Sequence, residues 1–387
     1  MIMSNFLTIH TIFSLPWSNV NRDDTGTPKH LLQGGVLRSS ISSQAIKRQV
    51  RISYEQKSRD ISVRSGNLAE LIGKRSKEIN PDLEIRQAVM KTGEALRALV
   101  KSEKASVSRD VSDTGAKSSK KSDEERRDSS NPKEQRQSIW LSAEEIETCA
   151  AQIASEESGD FIEDGKTGSL AIAAFGRMFA KLPSKNTEAA IAVSPAVSTH
   201  AAAIETDYFS TVDDYPNEKQ GAGSTYLGTA LYTSGCFYRT ATIDKAQLHR
   251  SWTGFDRDDS ITNLRAMIDA LIYALPSGKK NVTAPYVVPA LVLAEEQAHR
   301  IAYDFENPVQ AAPEGGYVAA TIQRLQEQFV SARRFDPDNF RGVAVLSGSY
   351  EDLDSLDFKV CAENETQNPS VVTKNELIDQ IISWIRK

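Results

Sequence analysis

Arg38-Ser39-Ser40-Ile41-Ser42-Ser43-Gln44-Ala45-Ile46-Lys47-Arg48-Gln49-Val50-Arg51 reads as the opening of an amphipathic helix running from Ser39 to about Tyr54. Ser42 or Ser43 is a suitable N-cap. Ile46, Val50 and Tyr54 recur at intervals of four and define a core-facing stripe. Ser43, Lys47 and Arg51 form a second stripe flanked by Gln44 and Arg48, so hydroxyl, amide and cations point one way. A helix start offers free backbone N–H groups at the positive end of its dipole, and with these side chains it suits a phosphate chain. The plainer reading is a solvated basic face with an ordinary cap.

Working outward, Lys29 to Arg51 holds Lys29, Arg38, Lys47, Arg48 and Arg51 and no acid, in a chain of formal net charge −6. Any attraction for phosphate is therefore local, because the acidic balance argues against a generic nucleic-acid coat. Gly34-Gly35 marks either a tight turn or a close backbone approach to a ligand. Just upstream, Asn21-Arg22-Asp23-Asp24 places two carboxylates side by side. Asp23 and Asp24 could hold a divalent metal for phosphodiester cleavage, which would make the protein a ribonuclease. A polar turn in which they pair or cap is the plainer reading, and Asp213-Asp214 carries the same two alternatives.

The 387 residues, 40% apolar, suffice for one large irregular domain or two to three smaller ones. Cys149, Cys236 and Cys361 are odd in number and far apart, which fits a reducing, cytoplasmic compartment. No run of about 18 apolar residues predicts a membrane span, and the N-terminus lacks the positive region and cleavage site of a signal peptide. The five histidines are scattered and none pairs with a cysteine at zinc spacing. Phosphate-loop, dinucleotide and nucleophile-elbow motifs are missing. No cofactor or metal is expected.

Along the chain, Phe6 to Phe13 reads as a strand ended by Pro16 and the Asn21-to-Gly26 cluster. Asn67 to Ile79 and Ile85 to Val100 read as helices. Lys101 to Ser138 has no aromatic, Leu or Ile residue and cannot offset its chain entropy by burial, which predicts a mobile insertion. Ser142-Ala143-Glu144-Glu145 is a capping box, and Leu170 to Leu182 predicts a further helix. Ile191 to Thr242 has strand-like runs around a Gly221-Ala222-Gly223 turn. Helices are predicted at Ile261–Leu275 and Val318–Arg333. Strands are predicted at Val287–Leu293, with Pro289 suggesting an edge or bulge, and at Val343–Leu346. A closing helix is capped by Thr373 and Glu376. The pattern is that of an α+β core interrupted by insertions.

Several motifs together resemble one known family. These are Ser4-Asn5-Phe6-Leu7-Thr8-Ile9-His10, Asn21-Arg22-Asp23-Asp24 and Ile41-Ser42-Ser43-Gln44-Ala45-Ile46-Lys47-Arg48, followed by Phe175-Gly176-Arg177-Met178 and Ser198-Thr199-His200. Asp207 through Asp214, Leu227-Gly228-Thr229 and Phe237-Tyr238-Arg239 complete the set. In this order, over roughly the first 250 residues, they resemble the CasC backbone subunit of type I-E CRISPR Cascade. The resemblance implies a non-catalytic, crRNA-binding protein with an RRM-like (ferredoxin-like) palm, inserted helical fingers and a protruding β-hairpin thumb. The corresponding divisions are 1–58 and 235–387 for the palm, 59–190 for the fingers (101–138 mobile) and 191–234 for the thumb. Copies would assemble head to tail along one crRNA and present it for pairing with target DNA, beside the large, small, cap and crRNA-processing Cascade subunits. Carried over residue by residue, Ser42, Ser43, Gln44, Lys47 and Arg51 would hold guide phosphates, with Lys29, Arg38 and Arg48 as basic neighbours. Met178 would then wedge against a base in that family's manner, and Val197 and Ser198 fall where the thumb would cross the guide. Val197 stands where the family leads one to expect an aromatic residue.

Overall fold

The computed structural model describes residues 5–100, 138–157, 159–212, 224–340, 342–358 and 368–387. The Lys101–Ser138 insertion up to residue 137, Asp213-Asp214, the Gly221-Ala222-Gly223 turn and Cys361 lie outside the described residues.

In chain order the elements begin with β1 (Phe6–Ser18), β2 (His30–Gln33), β3 (Val36–Ile41), α1 (Ser43–Lys57), β4 (Ser62–Ser65), α2 (Leu68–Ile79) and α3 (Ile85–Val100). Next come β5 (Ile139–Ser142), α4 (Ala143–Ser155), α5 (Leu170–Phe175), β6 (Ile191–Val193), β7 (Ala196–Ser198), β8 (Ile204–Val212) and β9 (Ser224–Asp244). The chain closes with α6 (Lys245–Ser251), α7 (Ser260–Tyr273), α8 (Lys280–Thr283), β10 (Leu291–Gln297), α9 (Val318–Phe335), β11 (Ala344–Ser347), β12 (Ser370–Val371) and α10 (Lys374–Arg386).

Two compact units result. The first comprises Met1–Ile61, Lys166–Gly176 and Thr187–Lys387, and the second Ser62–Gly165 and Arg177–Asn186. Residues 59–61, 166–176 and 187–190 thus group with the first unit, whereas the division implied by the resemblance counts them with the fingers. The first unit holds a mixed sheet in the order β12-β11-β10-β1-β9-β7-β3-β2, with β6 and β8 also paired to β9. Its fold class is α+β. β1 lies between β9 and β10, antiparallel to both. Ile12, Leu291, Leu293, Phe305, Leu325 and Phe329 belong to the apolar cluster that α9 and the sheet share. In the second unit β4 pairs with β5, and α2, α3 and α4 enclose Leu68, Ile72, Leu96, Leu141 and Phe179.

Ile46, Val50 and Tyr54 of α1 are buried, as their spacing predicts; each such side chain contributes about 1.5–3 kcal/mol. The helix begins at Ser43 and not at Ser39, because Ser40 and Ile41 pair with Val197 and Ala196 of β7. β1 continues past Pro16 to Ser18, with its register shifted between Leu15 and Ser18, where a residue without an N–H is tolerated. α5 stops at Phe175, since Gly176 takes φ +77 and turns the chain out of the helix predicted to reach Leu182. Pro289 lies before β10, which starts at Leu291 and has partners on both sides, so it is not an edge strand. Both capping boxes form, Ser142 with Glu145 and Thr373 with Glu376. No described helix is long and apolar enough to cross a membrane.

Candidate nucleic-acid interface

The site is assembled from a turn, a hairpin and a helix start, all in the first unit. In the turn, Asp23 Oδ1 accepts from Thr25 N (2.9 Å), Thr25 Oγ1 (2.7 Å) and Thr27 N (2.9 Å). The Thr25 hydroxyl and these amides hold its carboxyl below the usual carboxylate range. Asp23 is thereby committed to shaping the turn, while Asp24 is exposed. Among the described residues no group of three or more His, Cys, Asp or Glu side chains could hold a metal ion.

Two bonds of Asn21 fix this turn against its neighbours. Its carbonyl accepts the N–H of Lys29 at 2.9 Å, and its side-chain Oδ1 accepts the N–H of Ser42 at 2.8 Å. Lys29 in turn accepts the N–H of Ser40 through its carbonyl. β2 and β3 form a two-residue hairpin whose Gly34 and Gly35 have φ +60 and +74, as a tight turn of this hand requires. The glycine pair is therefore a hairpin turn.

The result is a groove of about 740 Å³ lined by Asp23, Lys29, His30, Ser42, Ser43 and Gln44, with Val193 and Pro195 along its side. Ser42 is the N-cap of α1, yet its side chain makes no capping bond, and the first turn carries no acid. The Ser43 hydroxyl donates to the Val193 carbonyl at 2.7 Å. The helix start thus presents its positive dipole end to a groove bordered by Lys29. Further along α1, Gln44 and Arg48 are exposed, while Lys47 is half-buried. The Lys47 ammonium lies 5.9 Å from the Phe175 ring centroid, and burial lowers its pKa. Arg51 is half-buried, its Nε 4.0 Å from Glu55.

Other expected residues are placed elsewhere. Arg38 is fully buried, donating to the carbonyls of Ser198 (2.9 Å), Phe305 (3.0 Å) and Glu306 (2.9 Å), so it braces the fold and presents no cation to a ligand. Ser198 is buried too, accepting from Ser39 N and donating to His200 O. Both leave the list of contact residues for that reason. Val197 is half-buried in β7, opposite Ser40 and Tyr238. Met178 belongs to the second unit and is 76% exposed, following Arg177, which is buried against Glu145 at 2.7 Å. Asn21 was overlooked as an organiser, although an Asn ahead of Asp-Asp is the local signal for a side-chain-braced turn.

The hairpin of β8 and β9 carries exposed Tyr208, Phe209, Tyr226 and Leu227. Gly228 leaves room for the Phe209 ring, whose Cζ lies 2.5 Å from where a Cβ would sit.

Comparison with known proteins gives the frame for this geometry. In a structure described as "CRISPR RNA-guided surveillance complex, pre-nicking", one chain is similar with a TM-score of 0.70 and 26% identity, over 98% of this chain and 99% of that one. A chain of a second structure, "CRISPR RNA-guided surveillance complex", is similar in fold with a TM-score of 0.59 and 21% identity, over 98% of each. None of the curated proteins matches the sequence. The model of the family described as CT1975-like protein matches residues 7–368, nearly the whole length, and the chain belongs to that family.

Proposed function

We propose that this protein is a subunit of a CRISPR RNA-guided surveillance complex in the cytoplasm. In this reading it binds the crRNA without catalysis, as a CasC-like backbone subunit of a type I-E Cascade assembly. The observation that carries the reading is the groove at the start of α1, where Lys29, Ser42, Ser43 and Gln44 meet an acid-free helix N-terminus. Full-length similarity to a chain of such a complex supports it.

Phosphate oxygens would take hydrogen bonds from the first-turn N–H groups and the Ser42 hydroxyl, with charge from Lys29, Lys47 and Arg48. Contacts of this kind grip a strand without reading its sequence, leaving the bases to pair with target DNA. Repetition of the site in copies packed head to tail would extend the grip along the guide. The remaining partners would be the other Cascade subunits.

The test is the ratio of absorbance at 260 and 280 nm for the purified protein, with and without nuclease. Wild type is expected to carry RNA, and Lys47→Glu with Arg51→Glu to lose it together with RNA-dependent assembly. Lys29→Glu with Arg48→Glu is the companion variant, since Arg48 is exposed and Lys29 borders the groove from outside α1. Nucleic-acid-free wild type that assembles equally well after nuclease treatment would overturn the proposal.

A further inference from the structure

Trp17, near the end of β1, stacks on Tyr232 of β9 with ring centroids 3.8 Å apart and planes 25° from parallel. Tyr232 is buried, whereas the indole is 37% exposed. Trp252 and Trp384, by contrast, are buried. The Lys279 ammonium lies 4.6 Å from the Tyr232 ring centroid and 3.3 Å from its hydroxyl, and Lys280 beside it is exposed.

This cluster is held rigidly. Gly278 N donates to Val20 O at 3.2 Å. A Cβ at Gly278 would lie 2.5 Å from Val20 O and 2.7 Å from Asn19 O, so only glycine lets the lysine loop lie on this backbone. Asn19 Nδ2 donates to Leu231 O (2.8 Å), next to Tyr232, and to Gly26 O (3.0 Å), in the turn that shapes the groove. Trp17, the lysine loop and the groove are therefore built on one continuous stretch, residues 17–29.

We propose that Trp17, Tyr232, Lys279 and Lys280 form a second contact for single-stranded RNA. One unpaired nucleobase stacks on the exposed indole, and the two lysines face the adjoining phosphate. This rests on the reading of the groove as an RNA site and adds to it a contact with a base. The indole is already ordered by Tyr232, so little side-chain entropy is lost when a base arrives. Stacking on an aromatic ring is sequence-tolerant, which suits a protein that must accept any guide. The neighbouring cations supply the salt-dependent part of the affinity.

The full-length protein, freed of co-purified RNA, is titrated with a short single-stranded oligoadenylate while intrinsic fluorescence is recorded. Wild type is expected to show quenching that is absent from Trp17→Phe, which keeps most of the affinity. Trp17→Ala is expected to bind about ten-fold more weakly. Lys279→Gln with Lys280→Gln is expected to reduce the slope of log affinity against log salt by roughly one to one and a half. Thermal unfolding of Trp17→Phe and Trp17→Ala separates lost binding from lost folding. Absence of RNA binding by wild type would defeat the reading of the groove itself. RNA binding that needs Lys47 and Arg51, but is unchanged in Trp17→Ala and leaves the fluorescence untouched, would overturn the platform alone.

Discussion

Asn21 Oδ1 accepts the backbone N–H of Ser42 at 2.8 Å, so the turn that contains Asp23 is fastened to the cap of α1. Asn21→Ala should leave that N–H without its partner, at about 1–3 kcal/mol, and widen the groove. The expected outcome is a lower unfolding midpoint and several-fold weaker RNA binding; Asn21→Asp, which keeps the accepting oxygen, should recover the midpoint but not the RNA binding, because its added negative charge repels phosphate. Unchanged RNA affinity in Asn21→Ala would mean that the groove's shape does not depend on this bond.

Arg38 is expected to matter for stability and not for RNA contact. Arg38→Ala strips the donors from the carbonyls of Ser198, Phe305 and Glu306, each costing about 1–3 kcal/mol when left unsatisfied. Arg38→Lys keeps the charge but not the planar fork and should recover only part of the loss. Denaturant unfolding reads this directly. A stably folded Arg38→Ala protein with abolished RNA binding would reverse the assignment.

The two hairpin glycines should differ in their tolerance of alanine. A Cβ on Gly34 would meet the Glu306 carbonyl oxygen at 1.9 Å, whereas one on Gly35 would meet nothing within 4 Å. Gly35→Ala then costs only the left-handed backbone, roughly 1–2 kcal/mol. Gly34→Ala must also push the hairpin away from Glu306 and should be clearly more destabilising by thermal unfolding. Equal midpoints for the two variants would contradict the close approach.

Acid should weaken the fold through Glu295. Its burial would raise the carboxyl, but Arg333, 2.6 Å away, and His10, 3.0 Å away, more than reverse this and draw it down to about 2. A folded-state value below the unfolded one stabilises the protein at pH above about 4.5, and that contribution is lost as pH falls toward 2. It amounts to about 3 kcal/mol. Unfolding curves between pH 5 and pH 2 should therefore show a steeper fall for wild type than for Glu295→Gln. Parallel curves would exclude this carboxylate as the source.

Local signals carried the sequence reading furthest. Ile46, Val50 and Tyr54 repeat within one helix, and the Ser142/Glu145 and Thr373/Glu376 boxes lie within four residues, so neighbours alone decide them. What the sequence hid was set by distant partners. Arg38 looks like a free cation until Ser198 and Glu306, 160 and 268 residues away, surround it with carbonyls. Ser40 and Ile41 have the composition of a helix start, yet β7 takes them into the sheet. Of the candidate site, Lys29, Ser42, Ser43 and Gln44 were legible as a basic, hydroxyl-rich opening. The brace from Asn21 was not, because its partner is the backbone N–H of Ser42, 21 residues along the chain, and the Trp17 stack was not, because Tyr232 lies in β9, more than two hundred residues later.

β9 runs without interruption for 21 residues, pairing with β8 in the hairpin and with β1 in the central sheet. The hairpin is therefore a cantilever rooted in the central sheet. A load applied at Tyr226 would be borne by the shear strength of the β1–β9 seam rather than absorbed by a loop, so strain from a bent strand could be stored there elastically.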